Sequence, residues 1–291
     1  MEGKGPSRTA RNTAMLRAAH YILDGKPQLL VDSFARAFAG FSNDQALLEA
    51  LQKGLGDSAE FPKMRTFFAL RSRYAEDELE EAVKRGVTNY VNLGAGLDSF
   101  AFRRPDLMRM LNVYEVDHPA SQTSKRECLS ELSLEIPGTL HFVPVDFERV
   151  TLAEGLATGG LKPDALAFFS WLGVAVFLTP DAVLHTLGEI ANLAAPGSEL
   201  VMSFTVPAAM LSNADRTLLE AFAARTAEVG EPWLSFFRPD ELEMHLKQIG
   251  FGSISHFGPA EACERYFAGR SDGPFLTGHC RIFRLLKARV V

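Results

Sequence analysis

Residues Val87 to Pro105 read VTNYVNLGAGLDSFAFRRP. A short β-type run, Asn89-Tyr90-Val91-Asn92-Leu93, precedes a turn, Gly94-Ala95-Gly96, and then apolar residues at helical spacing. A strand, a glycine turn and a helix start make the ligand-binding corner of a doubly wound α/β fold. The glycines let backbone approach a ligand where a Cβ would collide. Free N–H groups at the helix start favour negatively polarised ligand atoms.

The turn departs from a dinucleotide fingerprint. G-x-G-x-x-G would need a glycine at Ser99, within Leu97-Asp98-Ser99. A serine there suits a nucleoside ligand without a pyrophosphate, such as S-adenosylmethionine.

Downstream, Val113-Tyr114-Glu115-Val116-Asp117 reads as a second strand ending in an acid, 21 residues beyond Gly96. An acid at that place in a doubly wound fold reaches the ribose hydroxyls of a bound nucleoside. The competing assignment is a helix N-cap, since His118-Pro119 follows. A helix from Ala120 to about Leu134 leads to a third strand, Leu140 to Val145, ending in Asp146-Phe147. That acid and aromatic fit an adenine, the carboxylate accepting from the exocyclic amine; a loop-starting Asp is the plainer alternative. Pro163 to Trp171 is a fourth strand, apolar nearly throughout, as central parallel strands are. Ser170 to Gly173 lies at its C-terminal end, where open α/β sheets bind ligands. Thr179-Pro180 starts a helix, and Glu199 to Phe204 is a fifth strand. Helices follow at Asp215 to Glu228 and from Arg238-Pro239 to Gly250. Gly252 to Phe257 and Cys280 to Leu286 are two last strands, joined by a candidate flap or substrate loop, Gly258 to Gly278.

Upstream, helices are expected from Thr9 to about Ile22, over Leu29 to Ala39 and over Asp44 to Leu51. Residues 1–60 would form a helical cap or lid, and residues 61–291 the ligand-binding domain with substrate insertions in its C-terminal half. Phe61 to Arg85 reads as a helix broken near Ser72 and carries Arg65, Arg71 and Arg73. The expected class is α/β: a doubly wound, mostly parallel seven-stranded sheet closed by an antiparallel, hairpin-like edge, under a helical cap.

Composition narrows the partners. The 291 residues are 47% hydrophobic and 23% charged, an ordinary globular balance. A net charge of −6 without a strongly basic block argues against nucleic acid as a partner. No stretch is long and apolar enough to span a membrane, and the N-terminus lacks an uninterrupted apolar run. Three scattered cysteines suit a reducing cytoplasm. No acid or histidine grouping suggests a metal. Oligomeric state is not readable from the sequence.

Taken together, the motifs resemble the leucine carboxyl methyltransferase type of class I S-adenosylmethionine-dependent methyltransferase, whose many bacterial members include small-molecule O-methyltransferases. The resemblance runs from Ser7-Arg8-Thr9-Ala10 to about Gly250. It is strongest at Arg71-Ser72-Arg73, at Asn92 to Ser99 with Arg103, at Tyr114 to Pro119, and at Phe177-Leu178-Thr179-Pro180. By position it implies that Arg71 binds the methionyl carboxylate through its guanidinium fork. It implies that the Gly94-Ala95-Gly96 turn passes under the methionyl and ribose part. Asp117, beside His118, would hold the ribose hydroxyls, and Asp146 with Phe147 the adenine. Many family members carry a glutamate where Leu172 stands, so its role cannot be transferred; backbone carbonyls near Ser170 are the candidate substitute for an ammonium contact.

The reaction so implied is methyl transfer to a carboxylate or hydroxyl of a small, apolar acceptor. A carboxylate needs no base; a hydroxyl does, and His118, His185 and His256 are available by type, though none stands in a motif that names it. Two other functions fit the same frame: an NAD-dependent oxidoreductase, opposed by Ser99 and by the lack of a Tyr-x-x-x-Lys pair, and a catalytically silent methyltransferase-like binding protein.

Overall fold

The computed structural model describes residues 7–55, 58–146, 150–270 and 272–291. Four helices come first: α1 (Arg8–Leu23), α2 (Ala35–Phe38), α3 (Asp44–Leu55) and α4 (Glu60–Lys84). The quoted stretch then forms β1 (Asn89–Leu93) and two short helices, α5 (Phe100–Arg103) and α6 (Pro105–Met108). Alternation follows: β2 (Asn112–Asp117), α7 (Pro119–Glu131), β3 (Leu140–Pro144), α8 (Leu152–Thr158), β4 (Ala167–Trp171), α9 (Pro180–Leu193), β5 (Glu199–Thr205) and α10 (Asn213–Glu228). The chain ends with α11 (Pro239–Gln248), β6 (Phe251–Phe257), α12 (Pro259–Tyr266), α13 (Gly273–Leu276) and β7 (Phe283–Val290).

The seven strands lie in the order β3-β2-β1-β4-β5-β7-β6. All neighbours are parallel except those of β7, which runs antiparallel to both β5 and β6. The expected mostly parallel sheet is therefore present. Its antiparallel edge is the expected pairing of the last two strands, with β7 lying between β5 and β6 and pairing with both.

Every residue of β4 and β5 is buried, as strands covered on both faces must be. One face packs against α8, α9 and α11 through Leu152, Leu156, Val183, Leu187, Ile190, Leu242 and Leu246. The other packs against α4 to α6 through Leu70, Tyr74, Leu79, Phe100 and Leu107. A third apolar cluster joins α1 to α3 with Leu97 and Leu129, so the N-terminal helices cover the glycine turn and α7. No helix among the described residues is long and apolar enough to cross a membrane.

Several sequence expectations need correction. The helix α4 is unbroken, because the Ser72 hydroxyl donates to the Phe68 carbonyl (3.4 Å) within the same helix. Of Leu29 to Ala39 only Ala35–Phe38 is helical. The Asp32 side chain accepts from the Ala35 amide (3.0 Å) and so starts the helix there. The last strand begins at Phe283 and runs on to Val290, since Lys287 to Arg289 continue the pairing with β5. The supposed flap contains α12 and α13. The helix α8 was not anticipated, although Thr151 and Glu154 spell the capping box that starts it.

Candidate functional site

The C-terminal ends of β1, β2, β3 and β4 place the expected ligand residues side by side. Gly94 (φ +69°) and Gly96 (φ +50°) both adopt the left-handed conformation that glycine tolerates best. A Cβ on Gly94 would lie 2.2 Å from Val174 Cγ2. The turn is held to β2 by its own backbone, the Gly94 amide donating to the Val116 carbonyl (2.7 Å).

Asp117 closes this corner. Its Oδ2 accepts from the Gly96 amide (2.6 Å) and its Oδ1 from the His118 amide (2.7 Å). A carboxylate offers about four lone-pair sites, so both oxygens keep capacity for ligand hydroxyls. Burial raises the Asp117 pKa, opposed by those two amides. The N-cap of α7 is His118, whose ring accepts from the Ala120 amide (3.2 Å), and not Asp117. Asp146 follows on the neighbouring strand end, its Oδ2 4.0 Å from His118 Nε2. Phe147 lies outside the described residues.

Arg71 reaches the same corner from α4. Its guanidinium packs where a Cβ on Gly173 would be, 2.4 Å from Nη1, and lies over the Phe68 ring (4.4 Å). Among the described residues it has no hydrogen-bond or ion-pair partner. Burial, and then the charge of Arg17, pulls its pKa down to about 9, with Asp98 opposing. A half-buried guanidinium without a carboxylate is partly desolvated with nothing to offset it, and an anionic ligand group would supply the missing partner.

Ser170 behaves differently. It is fully buried, donates to Asn92 Oδ1 (3.2 Å) and shares a hydrogen bond with Tyr90 (2.8 Å). Its side chain is thus committed to the sheet, leaving only backbone for a ligand. Leu172 packs among the apolar residues below α4, which accounts for an apolar side chain at that place.

Sequence reasoning missed the buried ionic network behind the turn. Arg17 of α1 donates to Asp32 (2.9 Å) and to the Leu97 carbonyl (2.7 Å). Ser99 Oγ donates to the other oxygen of Asp32 (2.7 Å), and Arg103 donates to Ser99 (3.1 Å) and pairs with Glu76. Lys125 bridges Glu115 (2.6 Å) and the Asp98 carbonyl (2.7 Å). Burial pushes the Asp98 carboxyl up, but Arg103, Arg17 and Lys125 outweigh it and hold it at about 2. These partners are up to 80 residues apart, so spacing alone could not reveal them. Ser99, at the third-glycine place, is therefore a fully buried structural hydroxyl.

A cap also closes over the turn. Ala10 Cβ lies 3.1 Å from where a Cβ of Gly96 would be. Thr9 donates through its amide (3.2 Å) and its hydroxyl to Glu231, on the loop after α10. Two cavities lie off the corner. One of about 360 Å³ lies between the cap and α7, reaching Leu97 and Cys128. The other, about 830 Å³, is a charged groove beside β6 and β7, lined by Glu78, Arg265 and Lys287. Among the described residues no three His, Cys, Asp or Glu side chains are gathered to hold a metal.

The strand order, the glycine turn after β1 and the acid at the tip of β2 define a Rossmann-like methyltransferase architecture. The chain belongs to the leucine carboxyl methyltransferase family, whose profile matches residues 10–191. It is 35% identical over 202 residues to YktD of Bacillus subtilis, a protein assigned by name to the S-adenosyl-L-methionine-dependent methyltransferases. That alignment covers 69% of this chain and 66% of YktD. A Parafrankia protein assigned to the same class is 32% identical over 201 residues, covering 68% of this chain and 63% of its own length. The chain thus spans about two thirds of the length of these relatives. The fold matches that of a Thermobifida fusca protein described as a methyltransferase, with TM-score 0.57 and 19% identity over 98% of this chain and 95% of the other. It also matches a DUF574 protein of Streptomyces avermitilis, with TM-score 0.58 and 13% identity over 98% of each chain.

Proposed function

We propose that this chain transfers a methyl group from S-adenosylmethionine to a carboxylate or hydroxyl oxygen of a small molecule. The observation that carries the donor reading is the half-buried Arg71 guanidinium, without an anionic partner among the described residues, beside a glycine turn closed by Asp117. The relatives' names and the family's description support methyl transfer, and the family's description favours an oxygen acceptor.

The residues divide the work. Arg71 would clamp the methionyl carboxylate. The backbone of Gly94 to Gly96 would lie under the methionyl and ribose part, Asp117 would accept from the ribose hydroxyls, and Asp146 would accept from the adenine amine. Cap contacts from Thr9, Ala10 and Arg17 fit a lid that excludes water from the reacting atoms. S-adenosylmethionine, when bound, supplies an already activated methyl on its sulfonium. What remains for the protein is alignment of the acceptor oxygen with that methyl, worth several kcal/mol when geometry is held.

Calorimetry with S-adenosylmethionine, S-adenosylhomocysteine and NAD tests the donor half. Tight binding of the first two and none of NAD is expected. Labelled-methyl transfer to small acids, alcohols and phenols tests the acceptor half. Binding of NAD alone would overturn the reading, and donor binding without transfer to any oxygen would leave a binding protein.

A further inference from the structure

A second group of buried polar atoms lies apart from the donor corner. It sits where β7 begins opposite the end of β5, with Phe283 paired to Thr205. That is the ligand-facing edge of the sheet. His279, on the one-turn helix Gly278–Arg281, is 1% exposed. Neither of its ring nitrogens has a hydrogen-bond partner among the described residues. Glu60 Oε2, 3.8 Å from His279 Nδ1, and Trp233 Nε1 are also buried and unpartnered. Each such atom costs about 1–3 kcal/mol, so several around one spot call for an explanation.

Aromatic rings surround these atoms. The Phe283 ring centroid is 5.2 Å from Phe67, 5.7 Å from Trp233 and 5.9 Å from Phe222. Phe222 is 5.5 Å from the His279 ring. Phe222, Trp233 and Phe283 are half-buried, so the cluster is not sealed. From Phe67 the rings continue to Phe68 (5.7 Å) and so to the Arg71 guanidinium. An aromatic path therefore joins this cluster to the donor site.

We propose that the cluster is the acceptor site, that its occupant is an aromatic ring bearing a hydroxyl and a second oxygen, and that His279 is the general base for that hydroxyl. This rests on the donor reading above. His279 Nε2 takes the hydroxyl proton, and the oxygen's electron pair forms the new C–O bond with the donor methyl. The C–S bond breaks with its pair going to sulfur, leaving S-adenosylhomocysteine, and the proton passes from His279 to solvent. Glu60 is the positioning residue: Lys63 Nζ holds its Oε1 (2.7 Å), while Oε2 faces Nδ1 and steadies the imidazolium. Trp233 Nε1–H donates to the second oxygen.

The charges in the site favour a hydroxyl over a carboxylate. Lys63 is bound to Glu60, and Arg281 makes two bonds to Asp215 (both 2.9 Å), so the nearby cations are engaged. An acceptor carboxylate would meet Glu60 instead. Burial lowers the His279 pKa to about 4; Lys63 and Arg281 push the same way, and Glu60 and Asp215 oppose them. At neutral pH the ring is therefore uncharged with a lone pair to offer, and it is the Glu60 carboxylate beside Nδ1 that favours its taking a proton.

The test uses phenol, the more acidic 4-nitrophenol and benzoate, each with S-adenosylmethionine, and reads labelled methyl in product. The proteins are wild type, H279Q and E60Q, with donor affinity measured for each. Wild type is expected to methylate the two phenols and not benzoate. H279Q should lower kcat on phenol about 100-fold or more, with donor affinity unchanged. On 4-nitrophenol, which ionises more readily, the loss should be under about 10-fold. E60Q should show the same contrast at smaller amplitude, and it carries the comparison if H279Q folds poorly. Equal losses on both phenols, or transfer to benzoate alone, would overturn the role of His279 while leaving oxygen methylation intact. Donor binding with no transfer to any probe would remove the acceptor site and the proposed oxygen chemistry together, and no donor binding would remove the donor reading.

Discussion

Replacing Arg71 with methionine should push stability and donor binding in opposite directions. In the ligand-free protein the guanidinium is half-buried with no partner among the described residues, and its pKa falls from 12.5 to about 9. At ~1.4 kcal/mol per unit that fall sets an upper bound of about 5 kcal/mol on the cost of this partly desolvated charge. Water at the open side of the crevice reduces this, so Arg71→Met should stabilise the free protein by about 2 kcal/mol. The melting temperature should then rise by roughly 4–8 °C. Donor binding should weaken, because a bidentate charge-assisted pair is lost. A loss of about 3 kcal/mol corresponds to more than about 100-fold in Kd. The decisive comparison is decarboxylated S-adenosylmethionine, which lacks the anion. Calorimetry should show wild type and variant binding it about equally, as the double-mutant logic requires. If the variant loses as much affinity for the decarboxylated donor as for the parent, Arg71 does not grip the carboxylate. If the free protein melts earlier, its guanidinium was not a burden in the folded state.

Asp117→Asn leaves one of the Gly96 and His118 amides facing an NH2 group. Thermal unfolding should show about 1–3 kcal/mol lost, and calorimetry a donor affinity reduced at least about 10-fold. Gly94→Ala should destabilise by more than the ~1 kcal/mol of a left-handed alanine, because its Cβ would meet Val174 Cγ2 at 2.2 Å; adding Val174→Ala should recover most of the excess in denaturant melts. Asp98 has its folded pKa lowered from 3.8 to about 2, so its contribution is present above about pH 4 and lost as pH falls through 2. That contribution is about 2 kcal/mol, and Asp98→Asn should flatten the acid limb of the stability curve by that amount.

Local pattern carried the sheet and the glycine turn, and long-range contact carried what was missed. The strand over Asn89 to Leu93 and the turn at Gly94 to Gly96 announce themselves by residue type alone. The place of Asp117 at the second strand's tip, beside the glycine turn, was legible, and its bonds to the Gly96 and His118 amides set it there rather than as the helix N-cap. Arg71 was not legible from spacing; three arginines on α4 look alike until the fold shows Arg65 paired with Asp24, Arg73 paired with Asp77, and Arg71 without a partner among the described residues. Ser99 was read as a missing glycine, whereas its hydroxyl is bound to Asp32, 67 residues away. His279 was passed over because nothing beside it in sequence hints at Glu60 or Phe222. The expected break at Ser72 failed because a serine can satisfy itself inside a helix.

The place of β7 has a consequence for how the molecule assembles. The strand occupies the slot between β5 and β6, pairing with both. Until Phe283 to Val290 arrives, β5 carries an open ladder of amides and carbonyls, and β6 has no neighbour to join. Such a half-sheet is sticky and slow to mature, since its closing contacts span long stretches of chain. Shortened polypeptides that stop before Phe283 should therefore aggregate or be degraded even though the whole glycine corner has already been synthesised.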